Sequence, residues 1–288
     1  RQTLFEVYVR EQVLMSRMPP TRELKLQAIR VGDLGIVAIP CEVFGITGLK
    51  IKAFSPLRPT FTIELANGYD GYIPPPALYP FGGYTTWRAR SACLEVEAEP
   101  KIVDAVLGLL EDVANRPRRS LSSDEYPFGR YPSEVLASGP LAYWRMNEFD
   151  GPRAIDISGH GNHAEYEPGI LFYLDGPGSS ANGASARSNR APHFAGGRLR
   201  ARVPGLSGDY ALAMWFANYL PTDARAVTGC LFSRGRIGTA EGRGDQLEIG
   251  GTQGAGGALY LRCGKTRAAG ATRLGPVSYT HLRAHEDS

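Results

Sequence analysis

The helical stripe at Ala98–Ala114, with nothing like it downstream, constrains this chain more than any other feature. Ile102, Val103, Val106, Leu109, Leu110 and Val113 fall at i, i+1, i+4, i+7, i+8 and i+11, one apolar face of a helix. Pro100 suits its first turn and Pro117 lies beyond its end. Past Val113 the apolar residues come in short runs separated by Gly-rich turns: Leu141–Arg145, His193–Phe194, Leu199–Val203, Tyr210–Ala217, Cys230–Ser233, Gln246–Ile249 and Ala258–Arg262. Many short strands with Gly and Asp turns point to a β-sandwich or jelly roll. A mixed first half and an all-β second half exclude a uniform bundle, and 288 residues suit two domains.

Ahead of the stripe, Glu23–Ile29 alternates Leu24, Leu26 and Ala28 with polar residues, as a half-buried strand does. Leu34–Pro40 reads as a buried strand, Gly45–Phe54 as a short helix and Phe61–Ala66 as a further strand. Arg1–Arg17 opens inside an amphipathic helical pattern rather than a signal-peptide pattern, so the chain reads as an internal piece of a longer protein. Arg116–Gly139, rich in Pro, Ser and Arg, reads as a linker. Gly275–Ser288 follows no periodic pattern. Its string VSYTHLRAHE resembles translated adapter read-through at the ends of metagenomic fragments, so residues 275–288 are expected to be a non-native tail.

Charge narrows the functional classes. The net charge of +3, from 32 basic and 29 acidic side chains, implies no basic face, so no nucleic-acid partner is expected. The longest apolar runs fall far short of the ~20 residues a membrane-spanning helix needs. The four cysteines contain no C-x-x-C; Cys41–Cys93 and Cys230–Cys263 could pair in an exported protein or stay as buried thiols. Gly264–Lys265–Thr266 looks like the end of a phosphate loop, but Leu259 stands where that loop needs Gly.

Three motifs in the first half carry a resemblance. VGDLGIVAIPCEVFG (Val31–Gly45), ELANGYDGYIPPP (Glu64–Pro76) and GGYTTWRARS (Gly82–Ser91) occur in the order found in the catalytic domain of neutral/alkaline ceramidases. The resemblance covers about residues 1–115. It implies a zinc-dependent amide hydrolase acting on a lipid amide, with Glu42 and Tyr72 where that family has metal ligands and Tyr84 as a further site-lining, catalytic Tyr. The family's His ligands have no counterpart here, because the first His is His160. PPPALYPFGG also replaces the stretch the family carries at that point. Read without the resemblance, Glu42 is a rim or capping residue, and Tyr69, Tyr72 and Tyr84 are packing aromatics.

LAYWRMNE (Leu141–Glu148), AIDISGHGNHAEY (Ala154–Tyr166), APHFAGG (Ala191–Gly197) and YALAMWFA (Tyr210–Ala217) resemble the laminin-G-like, concanavalin A-like jelly-roll module, over about Leu141–Gly264. DISGHGNH reads first as a polar turn, with Gly159 and Gly161 at positive φ and Asp156 and Asn162 bonding nearby N–H groups. The functional alternative is calcium, glycan or protein binding by Asp156, Asn162 and His163. Trp144 and Trp215, each beside small residues on its own strand face, are expected in a shared core.

The expectation is therefore a multidomain chain: an α+β segment of a ceramidase-like hydrolase domain (1–115), a linker (116–139), an all-β jelly-roll sandwich (140–274) and the tail. Its parent would be an exported protein, extracellular or periplasmic. The competing expectation is a non-catalytic carbohydrate- or protein-binding protein with a degenerate hydrolase segment.

Overall fold

The computed structural model describes residues 3–120, 130–177, 189–206, 210–235, 243–252, 254, 256–263, 266–274 and 279–285. They form two compact units, Arg1–Gly205 and Leu206–Ser288. The chain is mixed α/β, with few helices and many strands in several small sheets. Among the described residues no helix is long and apolar enough to cross a membrane.

The first unit opens with α1 (Leu4–Met15), started by a capping box in which Thr3 and Glu6 each bond the other's backbone N–H. β1 (Gln27–Val31) and β2 (Leu34–Ala38) form a tight hairpin through Gly32, which has a positive φ. The alternation at Glu23–Ile29 identified the right face, since Leu24, Leu26 and Ala28 pack on the core, but the strand itself begins later. The chain then runs through β3 (Glu42–Val43) and α2 (Gly45–Phe54) into β4 (Thr60–Ile63), parallel to β2. β5 (Tyr72–Ile73) pairs in parallel with β3, a 3₁₀ turn covers Pro76–Phe81, and α3 is Ala98–Ala114.

α2 and α3 cover one face of the β1–β2–β4 sheet around Val37, Ile39, Ile51, Leu57, Val106 and Leu110, all fully buried. Gly35 permits this approach, because a Cβ there would sit 2.9 Å from Thr60 Oγ1 and 3.2 Å from Leu110 Cδ2. The register puts Ile29, Ile36 and Phe61 in one row on the opposite face, where Ile29, Val31, Phe61 and Ile63 are exposed.

Much of Arg116–Gly139 is structured. Arg119 returns to the end of α2, its backbone N–H donating to Phe54 O and its Nε to Ser55 O. Arg118 pairs with Glu111 and Asp104. α4 (Arg130–Ala137) follows, residues 121–129 lying outside the described residues.

The chain beyond α4 is held against α2 and α3. Phe149 is buried, stacked on Tyr173 at 3.8 Å and tilted against Phe54 at 5.9 Å. Beside it, Asp150 accepts an ion pair from Lys50 at 2.9 Å. Lys50 is itself buried against Glu99, whose carboxylate also accepts the Thr47 hydroxyl at 2.8 Å. β6 (Arg153–Ala154), β7 (Ala164–Tyr166), β8 (Ile170–Asp175), β9 (Arg190–Phe194) and β10 (Leu199–Ala201) complete the unit as a β10–β7–β6 sheet and a β8–β9 pair. Leu141–Arg145, expected as a strand, makes only an isolated bridge between Trp144 and Asp156.

The second unit is β-rich. β11 (Ala211–Ala217) is followed by an antiparallel meander of β12 (Val227–Gly235), β13 (Arg243–Gly250), β14 (Ala258–Cys263) and β15 (Thr266–Arg273). Tyr279–His285, inside the stretch set aside on sequence grounds, forms β16 and pairs antiparallel with β11. β11 turns the opposite way from the sequence expectation. Leu212, Met214 and Phe216 are its more buried residues, and Trp215 is 45% exposed alongside the exposed Ala211 and Ala213. Small neighbours left room for the indole, but the larger aliphatic face won the burial.

Candidate functional site

Glu42 and Tyr72 are brought together by backbone register. β3 and β5 place them opposite each other. Glu42 N–H donates to Gly71 O at 2.9 Å, and Tyr72 N–H to Ser91 O at 2.8 Å. Gly71 is required here: its φ is +81°, and a Cβ would fall 2.4 Å from Ser91 O. The next residue, Val43, gives its N–H to the Glu64 carboxylate at 2.9 Å, which fixes the end of the pair before α2 begins.

Two phenols lie at this carboxylate and a third packs on one of them. Tyr72 hydrogen-bonds Glu42, and that bond, with desolvation and the Glu42 charge, holds its phenol well above the ordinary value. Tyr84 also bonds Tyr72, their rings meeting edge-on at 5.4 Å and 81°. Tyr69 is raised too, first by desolvation and then by the charge and hydrogen bond of Glu42. The structure thus joins the three residues expected from sequence and adds Tyr69, which was read as packing. The signal for Tyr69 lay in Asn67-x-Tyr69-x-x-Tyr72, which puts both phenols on one short turn.

The loop carrying Tyr84 is braced by α1. Tyr8 packs edge-on against Trp87 at 5.3 Å, Gln12 Nε2 donates to Arg88 O at 2.6 Å, and Glu11 takes Arg90 Nε and Nη2 at 2.8 and 3.0 Å. Those Arg90 hydrogen bonds, working against desolvation, bring the Glu11 carboxyl down to about 2. Sequence reading missed this pairing because the partners are far apart in the chain.

Glu42 and Tyr72 supply two oxygen donors and no nitrogen. Among the described residues no group of three or more His, Cys, Asp or Glu is placed to hold a metal. The donor set does not fit zinc unaided. Cys41 and Cys93 are unbridged; burial pushes the Cys41 thiol up to about 12, and Cys93 Sγ lies 3.9 Å from Asp70 O.

Asp156, Asn162 and His163 are also brought together, but by one another. Asp156, only 6% exposed, accepts Tyr143 N–H and Ser158 N–H on Oδ1, and Ser158 Oγ and Asn162 N–H on Oδ2, all at 2.8–2.9 Å. Desolvation would raise this carboxyl; the hydrogen bonds outweigh it and leave it below its ordinary value. Asp156 N–H donates to His163 Nδ1 at 3.0 Å, and Asn162 Nδ2 to Leu141 O at 2.7 Å. Trp144 Nε1 donates to Asn162 O at 2.9 Å. Gly159 and Gly161 both have positive φ. The carboxylate is saturated by the turn itself, which leaves it poorly suited to calcium.

Compared with known protein families, curated proteins and solved structures, the chain finds no match.

Proposed function

We propose that residues 1–115 are the distal part of a ceramidase-like amide hydrolase site, and that the β-rich remainder is an attached laminin-G-like binding region of an exported protein. The observation that carries this reading is the Glu42–Tyr72 register with Tyr84 against Tyr72. A phenol beside this pair suits an amide: Tyr84 can donate to its carbonyl oxygen. Zinc in such an enzyme polarises the carbonyl and activates water. Glu42 and Tyr72 would be two of its oxygen ligands, and the nitrogen ligands would have to come from outside this sequence. The alternative, a binding protein with a degenerate hydrolase segment, draws on the same Glu42 cluster and its lack of nitrogen donors.

The test is fluorescence anisotropy with a labelled N-acylsphingosine, read together with turnover. This chain is expected to bind the lipid amide without hydrolysing it, and Tyr72→Phe should weaken binding several-fold, as the loss of about one hydrogen bond does. Binding indifferent to Tyr72→Phe and Glu42→Gln would refute the site. Turnover abolished by Glu42→Ala would show that the site needs no nitrogen ligands from elsewhere.

A further inference from the structure

The turn ahead of Tyr69 contains an exposed Asn–Gly pair. Asn67 has φ +63° and is followed by Gly68. Both ends of the turn are fastened to the segment that carries Glu42: Leu65 N–H donates to Cys41 O at 3.1 Å, Ala66 N–H to Ile39 O at 3.1 Å and Asp70 N–H to Pro40 O at 2.8 Å. Between these anchors the Gly68 N–H has no hydrogen-bond partner among the described residues. A Cβ on Gly68 would fall 3.2 Å from Pro40 Cβ, which favours glycine and leaves its amide without a side-chain shield. Asn67 Nδ2 donates to Oε1 of the exposed Gln27. Asn115 offers a contrast within the same chain. Its φ is also positive, +53°, but the next amide, that of Arg116, is tied to Glu111 O at 3.3 Å. Asn162 precedes His163, and its Nδ2 donates to Leu141 O at 2.7 Å.

We propose that Asn67–Gly68 is a site of spontaneous covalent modification, closing to a succinimide that opens to aspartate and isoaspartate and so lengthens the turn before Tyr69. Hydroxide removes the Gly68 amide proton, and the nitrogen attacks Asn67 Cγ. The N–Cγ bond forms and the Cγ–Nδ2 bond breaks; Nδ2 takes a proton from water, which restores hydroxide, and leaves as ammonia. Water then opens the ring. Opening at Cγ gives aspartate. Opening at the Asn67 backbone carbonyl gives isoaspartate, with the chain now running through Cβ and Cγ. Glycine lets the attack occur in a folded turn, because its backbone rotates freely and its amide is unshielded. The added methylene lies between Leu65 and Asp70, so the isoaspartyl form strains their bonds to Cys41 and Pro40. The inference stands on the turn itself and does not rest on the amide-hydrolase reading.

The experiment is incubation of the full chain at mildly alkaline pH, then peptide mapping with electron-transfer fragmentation, which tells isoaspartate from aspartate. Asn182–Gly183, the other Asn–Gly pair of the sequence, lies outside the described residues and falls in a different peptide. Asn67 is expected to convert in the folded chain, faster as hydroxide rises, giving both products, while Asn115 and Asn162 remain amides. Gln27→Ala frees the Asn67 side chain and should speed conversion several-fold, as the loss of about one hydrogen bond allows. Amide hydrogen exchange at Leu65 and Asp70 should be faster in the isoaspartyl form than in the parent. Asn67→Asp, which adds the charge without the methylene, should leave it unchanged. Asn67 intact in the folded chain while the denatured chain converts overturns the proposal. So does aspartate without isoaspartate, conversion of Asn115 at an equal rate, or an isoaspartyl form whose Leu65 and Asp70 amides exchange as slowly as the parent's.

Discussion

Replacing Asp156 by Ala tests whether DISGHGNH is held by its own carboxylate. The substitution removes acceptors for four donors: the N–H groups of Tyr143, Ser158 and Asn162 and the Ser158 hydroxyl. Ser158 lies near the exposed tip at Gly159 and His160, so water can replace part of its bonding. The Tyr143 N–H lies deeper. One stranded donor at about 1–3 kcal/mol, plus three bonds at a net ~0.5–1.5 kcal/mol each, gives a loss of about 2.5–7.5 kcal/mol, less whatever water restores at Ser158. Near-UV circular dichroism during thermal unfolding should show it, together with faster hydrogen exchange at Ser158 and Asn162. Asp156→Asn should lose less, because one oxygen survives while its NH₂ opposes two donors. Calcium or a chelator should leave the parent's melting temperature unmoved. A loss under about 1 kcal/mol, or stabilisation by calcium that disappears in Asp156→Ala, would refute the argument.

Lys50→Met should cost about 3–5 kcal/mol, because it strands the fully buried Glu99; adding Glu99→Gln should recover part of that in a denaturant titration. Trp144→Ala should destabilise by about 3 kcal/mol, whereas the half-exposed Trp215→Ala should cost about 1 kcal/mol or less. Glu11 has a lowered folded pKa, so the stability it lends is complete above its unfolded value near 4.5 and is lost as pH falls toward about 2; hydrogen exchange should show the α1 amides opening over that window, and Glu11→Gln should remove the pH dependence. A protease site engineered between residues 121 and 129 should leave the two cut pieces co-eluting, because Phe149 and Asp150 keep their hold on Phe54 and Lys50.

The parts of the fold legible in the sequence are those where local pattern and burial agree. α2 and α3 span the residues their periodicity indicated, and the short runs from His193 to Arg262 fall within or overlap β9–β14. The Asp156 turn was legible because its partners lie within a few residues. Trp215 was misread because alternation gives two faces and not which one is buried. The docking of Arg119, Phe149 and Asp150 left no local signal, since each needs a partner distant in sequence. At the candidate site, it was the resemblance to ceramidase motifs, not spacing, that brought Glu42, Tyr72 and Tyr84 forward, while Glu11–Arg90 became visible only in three dimensions.

The hold of Phe149 and Asp150 on α2 also bears on how such chains are shuffled in evolution. A recombination break between α3 and α4 would leave both helices whole. A foreign segment joined there would leave Phe54 without its aromatic neighbour and Lys50 with one carboxylate instead of two. Exchange is therefore tolerated only by replacements that bring an aromatic–acid pair at the same distance from the joint. Such a pair, about a dozen residues past the end of α4, is a sequence mark by which compatible partners of this α/β segment can be sought.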